Sequence, residues 1–203
     1  MIRKPAITEQ PIEKLLAERW SGRAFDATQP VSEDQITALT EAARWAPSCF
    51  GDQPWRYLIC NKFTDEQAWQ KAFAALVPGN QEWAQSAPIL ILAASVQTFS
   101  QNNKPNRWGG YDTGAASISL CLQATAMGLM SHQMGGFDVD IMRRNFNIPE
   151  DISLWAMMAI GYPAPLDSLT EEQLERELKV RERRPLSQQF FHGKWPSRDN
   201  SGE

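Results

Sequence analysis

The chain has 203 residues, 42% hydrophobic and 22% charged, with 12 Gly and 13 Pro. That composition supports one sizeable core and excludes collagenous, low-complexity or extensively disordered chains. A formal net charge of -4 sets the whole-molecule field against nucleic acid, and the longest apolar run, residues 87–94, is far short of the roughly 20 residues that a membrane-spanning helix needs.

Pro5, Glu9 and Pro11 stand where a secretory leader would carry its apolar stretch, so we expect a cytoplasmic protein. The three cysteines, Cys49, Cys60 and Cys121, are widely spaced with no CxxC pair, which supports neither a disulfide scaffold nor a metal site. Eight Trp residues are many for this length. A core accounts for some of them, and a planar ligand or a subunit interface can account for the rest.

In chain order, residues 12–19 read as a short helix that runs into an irregular polar segment around Gly22. Ser32 with Gln35 forms a capping box ahead of an apolar stripe from Ile36 to Ala46, which Pro47 ends. Residues 56–60 read as a strand. Residues 64–67 read as a second capping box, opening a helix that residues 78–80 stop. Residues 89–94 are apolar without alternation, as in a central strand covered on both faces.

Residues 110–128 are helical by length and rich in small side chains, which allow another helix to approach closely, so we read a central or dimer-contact helix. Residues 129–134 form a short strand ending at Gly135 and Gly136, Asp138 caps a helix to Phe146, and residues 154–160 make a buried strand. Thr170 opens the last helix, read as acidic at its start and basic at its end through Arg181, Arg183 and Arg184. Beyond Pro185, the tail carries Phe190, Phe191 and Trp195, too much apolar area to leave in water without cost, so residues 185–203 should pack on something, such as a second subunit. With no repeats and no linker-like break, one α/β or α+β domain over residues 1–203 follows.

Dinucleotide loops, phosphate loops, nucleophile elbows and HExxH are all missing from the sequence. His132, inside an apolar strand, reads as structural. Arg19, Ser21 and Arg23 project to one side of an extended segment and so suit a polyanionic or carbonyl-rich ligand, with a solvated helix end as the alternative. Arg181 and Arg183 repeat that spacing and would complete a phosphate clamp if the two chain ends meet, the alternative being ordinary charges at a helix terminus. The loop carrying Pro47, Ser48, Cys49 and Gln53 offers amides and small side chains to a flat ligand, or is a plain connection. Cys49 lacks a sequence neighbour that would activate it as a nucleophile. Gly135 and Gly136 either bring backbone close to a ligand or make a tight turn.

Taken in order, RWSGRAF, APSCFGDQPWRY, YDTGAASISLCLQATAMGL, MGGF and RERRPLSQQFFHGKW resemble the FMN-dependent nitroreductase family over nearly the whole chain. The resemblance implies an α+β, three-layer fold whose mixed central sheet is flanked by helices. It also implies an intertwined homodimer, completed by a C-terminal strand from the partner, with FMN at the interface. By the same resemblance, Arg19, Ser21 and Arg23 contact the phosphate, ribityl and pyrimidine edge, and Arg181 and Arg183 contact the phosphate. Pro47, Ser48 and Cys49 line the ring, Gln53 approaches from the neighbouring subunit, and Gly135 and Gly136 lie near the reactive flavin nitrogen.

The implied activity is ping-pong electron transfer from NADH or NADPH through FMN to a nitroaromatic, quinone or related small-molecule acceptor, with the cofactor and no side chain as the catalytic group. A reductive dehalogenase or a flavin storage or sensor protein on the same fold, and a non-flavin interaction domain, are the alternatives. One departure stands out: Gly51 occupies the place of the family's usual Asn, so an amide contact in that loop is expected to be missing.

Overall fold

The computed structural model describes residues 3–196. Its helices are α1 (Lys14–Glu18), α2 (Glu33–Arg44), α3 (Glu66–Phe73), α4 (Pro78–Ala84), α5 (Gly109–Ala126), α6 (Val139–Phe146) and α7 (Glu171–Leu178). Its strands are β1 (Trp55–Asn61), β2 (Ile89–Val96), β3 (Met130–Met134) and β4 (Ile152–Gly161), in the sheet order β1-β2-β4-β3. All three pairings are antiparallel, so a mixed sheet requires a strand from beyond these four.

The period-two alternation of a strand assigns the core. Leu90, Leu92 and Ala94 of β2 join Met157 and Ala159 of β4 on one face, where they meet Trp69 and Ala72 of α3, Trp83 of α4 and Met142 of α6. Ile89, Ile91 and Ala93 join Met158 and Ile160 on the other, against Leu39 and Ala43 of α2 and Ala116, Leu120 and Ala124 of α5. The result is three layers with β2 in the middle of the sheet, as its unalternating sequence predicts. Between Ala93 and Ala94 the register slips by one, leaving Trp155 unpaired on β4. Its ring lies against Gly110, where an added Cβ would come within 2.8 Å, and its indole donates to Ser95 Oγ at 2.9 Å.

Capping boxes at Ser32 and Thr170 start α2 and α7 as expected. The third differs: Asp65, not Thr64, caps α3 by accepting from the Ala68 amide at 2.9 Å. Residues 78–80 are no stop signal, because Pro78 is the first residue of α4, where its missing N–H costs nothing. The basic residues Arg181, Arg183 and Arg184 lie beyond the end of α7 at Leu178 and so are not charges of that helix. The small residues of α5 serve packing inside the chain in part, since Ala116, Ser117 and Ala124 are buried, while Gly114 and Ile118 face outward. Among the described residues no helix is long and apolar enough to cross a membrane, and no cluster of three metal-ligating side chains occurs.

Candidate functional site

Residues 24–26 pair with residues 162–164 just after β4, through Asp26 N–H to Tyr162 O (2.8 Å) and Ala164 N–H to Ala24 O (2.9 Å). That pairing holds the preceding segment extended along the end of the sheet. Gly22 and Ala24 turn inward while Ser21 and Arg23 turn out, the alternation that the two-residue spacing predicts. Gly22 is where backbone passes closest to the interior. A Cβ there would collide with Met130 Sδ and reach 2.9 Å from Glu177 Oε2. Glu177, on α7 and 3% exposed, accepts the Arg23 N–H at 2.9 Å, so the last helix clamps the first segment.

The chain's other end arrives at the same place. Arg181 donates to the carbonyls of Lys4 and Ala17, the latter at 3.0 Å, which ties the stretch after α7 to the N-terminal segment and to α1. A cavity of about 380 Å3 results, bounded by Arg19, Ser21, Arg23, Arg181 and Arg183. Lys4, Arg176 and Lys179 add further positive charge to its wall, and Glu177 is its one carboxylate. The cations repel one another: desolvation first, then Arg19 and Arg183, lower the pKa of Arg181. Lys4 is lowered by desolvation and by Arg181, with Glu177 opposing. A surplus of cationic donors held in one place stabilises a bound anion by charge-assisted hydrogen bonds.

His132 of β3 forms part of the wall. Its Nδ1 lies 3.0 Å from the Gly22 carbonyl and its ring sits 4.5 Å from that of Trp83. Desolvation, Arg23 and Arg19 lower its pKa, opposed by the backbone of Gly22 and Ser21. Sequence reasoning missed Lys4, Arg176, Glu177 and Lys179, and set a structural role for His132 ahead of a catalytic one. Their convergence depends on elements remote in sequence and carries no local signal.

The loop with Pro47, Ser48, Cys49 and Gln53 is elsewhere, at the N-terminal end of α5, and the chain's own fold does not bring it to the cavity. Asp112 accepts the Cys49 N–H at 3.0 Å, and Ser48 Oγ accepts that of Gln53 at 3.1 Å. Asp52 ties the loop to a second one, accepting from the Ser100 amide (2.9 Å), the Ser100 hydroxyl (2.6 Å) and Asn106 Nδ2 (3.4 Å). Phe50, Gly51 and Gln53 have φ of 56°, 67° and 49°. Left-handed backbone is tolerated best by glycine and next by asparagine, so Gly51 sits there without strain. Phe50 and Gln53 lack that freedom, and such outliers concentrate where a loop has work to do.

Gly135 and Gly136 lie beyond β3 and outside the cavity wall. Gly136 is required by packing: its carbonyl accepts from Asn80 Nδ2 at 2.9 Å, and a Cβ would come within 2.8 Å of Val77. Gly135 has open space around its Cβ position. Of the thiols, Cys60 is buried and raised to about 11, chiefly by burial and then by Asp65.

The chain thus combines a three-layer α+β architecture with a cationic cavity where the N-terminal segment meets the stretch after α7. The chain belongs to the nitroreductase family, whose family model matches residues 16–162. It is 31% identical over 122 residues to an uncharacterized 15.4 kDa protein of Mycolicibacterium smegmatis, covering 60% of this chain and 81% of that one. A putative NADH dehydrogenase/NAD(P)H nitroreductase of Archaeoglobus fulgidus is 26% identical over 154 residues, covering 74% and 84%. Among solved structures, an oxidoreductase containing FMN superposes with a TM-score of 0.85 at 33% identity, over 94% of this chain and 96% of that one. The expected nitroreductase-like α+β fold is the one observed.

Proposed function

We propose that this chain is an FMN-dependent NAD(P)H oxidoreductase of the nitroreductase type, working as a homodimer. The observation that carries the reading is the convergence of Arg19, Ser21, Arg23, Arg181 and Arg183 from both ends of the chain on one cationic cavity. Four guanidinium groups and a hydroxyl are a donor set suited to a phosphate monoester, and the single carboxylate nearby already accepts from the Arg23 amide. The family, the NAD(P)H nitroreductase among its relatives and the FMN-containing structural neighbour support the cofactor and the reductant.

Bound FMN would supply the chemistry, hydride uptake from NADH or NADPH and delivery of the electrons to a nitroaromatic, quinone or related conjugated acceptor in alternating half-reactions. The chain's own residues bind and orient. Arg19, Arg181 and Arg183 would hold the phosphate, Ser21 would donate to the ribityl chain, and Arg23 would meet the pyrimidine edge. Gly135 and Gly136 would lie near the ring, and the loop with Pro47, Ser48, Cys49 and Gln53 would reach it from the partner subunit, which extends to the whole loop the approach that the family resemblance implies for Gln53. Two features support a shared site: the loop is remote from the cavity of its own chain, and the surface around α5 is apolar, with Phe50 81% and Tyr111 77% exposed. The described tail points the same way, since residues 179–196 contain no strand and leave Phe190 62% and Trp195 81% exposed. We propose that residues 185–203 pack on the partner; residues 197–203 lie outside the described part of the chain.

The visible spectrum of the purified protein tests the reading. A flavin spectrum that bleaches on anaerobic addition of NADH or NADPH, and recovers with a quinone or nitroaromatic, is expected. A colourless protein that ignores added FMN would overturn it, and a flavin spectrum that NAD(P)H leaves unchanged would point to storage or sensing.

A further inference from the structure

His132 is one of only two histidines in the chain, and the fold puts it in the wall of the cationic cavity rather than in a sealed core. A carbonyl oxygen can only accept, so the 3.0 Å contact with Gly22 O places the proton of the neutral ring on Nδ1 and leaves Nε2 as the nitrogen that titrates. Gly22 stands between Ser21 and Arg23, so this hydrogen bond also fixes the segment that presents both. We propose that His132 is the proton-linked element of the cavity, holding Gly22 through Nδ1 and taking up a solvent proton at Nε2 when a dianionic phosphate group enters among the arginines.

The charges around it determine the sign. Arg19 and Arg23 face it from the segment after α1, and Lys4 from the N-terminal segment. From α7 come Arg176 and Glu177, and from the stretch beyond it Lys179, Arg181 and Arg183, while α4 presents the uncharged ring of Trp83 and, one residue before it, Glu82, whose carboxylate lies 3.9 Å from the Arg176 guanidinium. Without an anion, burial and the neighbouring arginines hold the imidazole below its ordinary value, so it is neutral at neutral pH. Two incoming negative charges oppose those arginines and bring the value back up. Between the free and bound values, binding takes up a proton, so affinity rises as pH falls through the bound value and levels off below the free one. The inference draws on the FMN reading only for the identity of the anion as a phosphate monoester; the cavity and the histidine stand without it.

Sulfate, which stays dianionic across the range, is the probe that separates His132 from titration of the phosphate itself. Isothermal titration should show wild-type affinity for sulfate growing by about threefold to tenfold between about pH 8 and about pH 5.5 relative to His132→Asn, a single proton giving at most about tenfold per pH unit. The asparagine keeps a donor for Gly22 and does not titrate. His132→Phe, which loses that donor, should bind more weakly at every pH. In the wild type alone, the His132 ring resonances should titrate at higher pH with sulfate than without it. Coincident pH profiles in wild type and His132→Asn, or an unchanged His132 titration, would overturn the inference. Repeating the binding with FMN separates the two ideas: sulfate linkage without any FMN binding discards the cofactor and keeps His132, whereas FMN binding with no linkage does the reverse.

Discussion

The cationic cavity and the aromatic loop region at the start of α5 are both built from irregular backbone, yet they differ in how their groups are satisfied. Around the cavity nearly every positioning contact is made within the chain: Glu177 to Arg23 N–H, His132 to Gly22, Arg181 to the carbonyls of Lys4 and Ala17. What is left over there is charge. Around residues 47–53 the hydrogen bonds are also closed, through Asp112, Ser48 and Asp52, and what is left over is apolar surface and left-handed backbone at Phe50 and Gln53. Surplus charge asks for a counter-ion, and surplus apolar area asks for another surface. The two surfaces differ in chemistry and lie at separate places in one chain, and the proposed two-fold dimer would bring them together.

The largest effect should come from the charge. Arg19→Ala combined with Arg183→Ala removes two charge-assisted contacts, each worth about 1.5–3 kcal/mol, so FMN affinity measured by fluorescence quenching should fall by at least about a hundredfold. Unchanged affinity would remove the cavity from the FMN proposal. Stopping the chain after Arg184 keeps every arginine of the cavity and deletes the apolar tail. Light scattering should then report a monomer in place of the dimer proposed for the full chain, and a persistent dimer would show that the α5 surface suffices without the tail.

Gly22→Ala forces Met130 and Glu177 aside and should cost about 1–3 kcal/mol of stability by denaturant titration, with FMN affinity falling alongside because Glu177 loses the Arg23 amide. Loss of stability alone would separate the fold from the cavity. Asp52→Ala cuts the three contacts that join the two loops; because Asp52 is only half-buried, it should cost about 1 kcal/mol, and its signature should be a raised KM for the acceptor with FMN affinity intact. The smallest effect concerns the thiols. Near neutral pH a water-soluble thiol reagent should label the half-exposed Cys49 and leave Cys60, buried and raised to about 11, and the buried Cys121 unmodified, as mass spectrometry would show.

Local chemistry made several parts legible in advance. The caps at Ser32, Asp138 and Thr170 are short-range hydrogen bonds that residues three apart dictate, and each is present. The unalternating apolar run of β2 announces a strand covered on both sides, and it is the strand both helical layers share. Where competing local rules meet, reading by pattern failed: Pro78 and Gly79 are breakers in one context and a helix start in another, and only the packing of Trp83 decides. By pattern the arginines after Leu178 can equally be helix charges or part of a clamp, because composition cannot show that Lys179 has already left the helical backbone.

What the amino-acid order determined by itself was the spacing of Arg19, Ser21 and Arg23 on one side of an extended segment, the caps, and the two-faced core strand, all consequences of backbone periodicity over a few residues. Only the tertiary structure decided that Arg181 and Arg183 stand beside them, that Glu177 and His132 hold the backbone between, and that residues 47–53 do not join them within one chain. The hydrogen bond between Arg23 and Glu177 alone spans 154 residues of sequence, and these relations exist because burial of two apolar faces against one sheet leaves a single place for the two segments to meet.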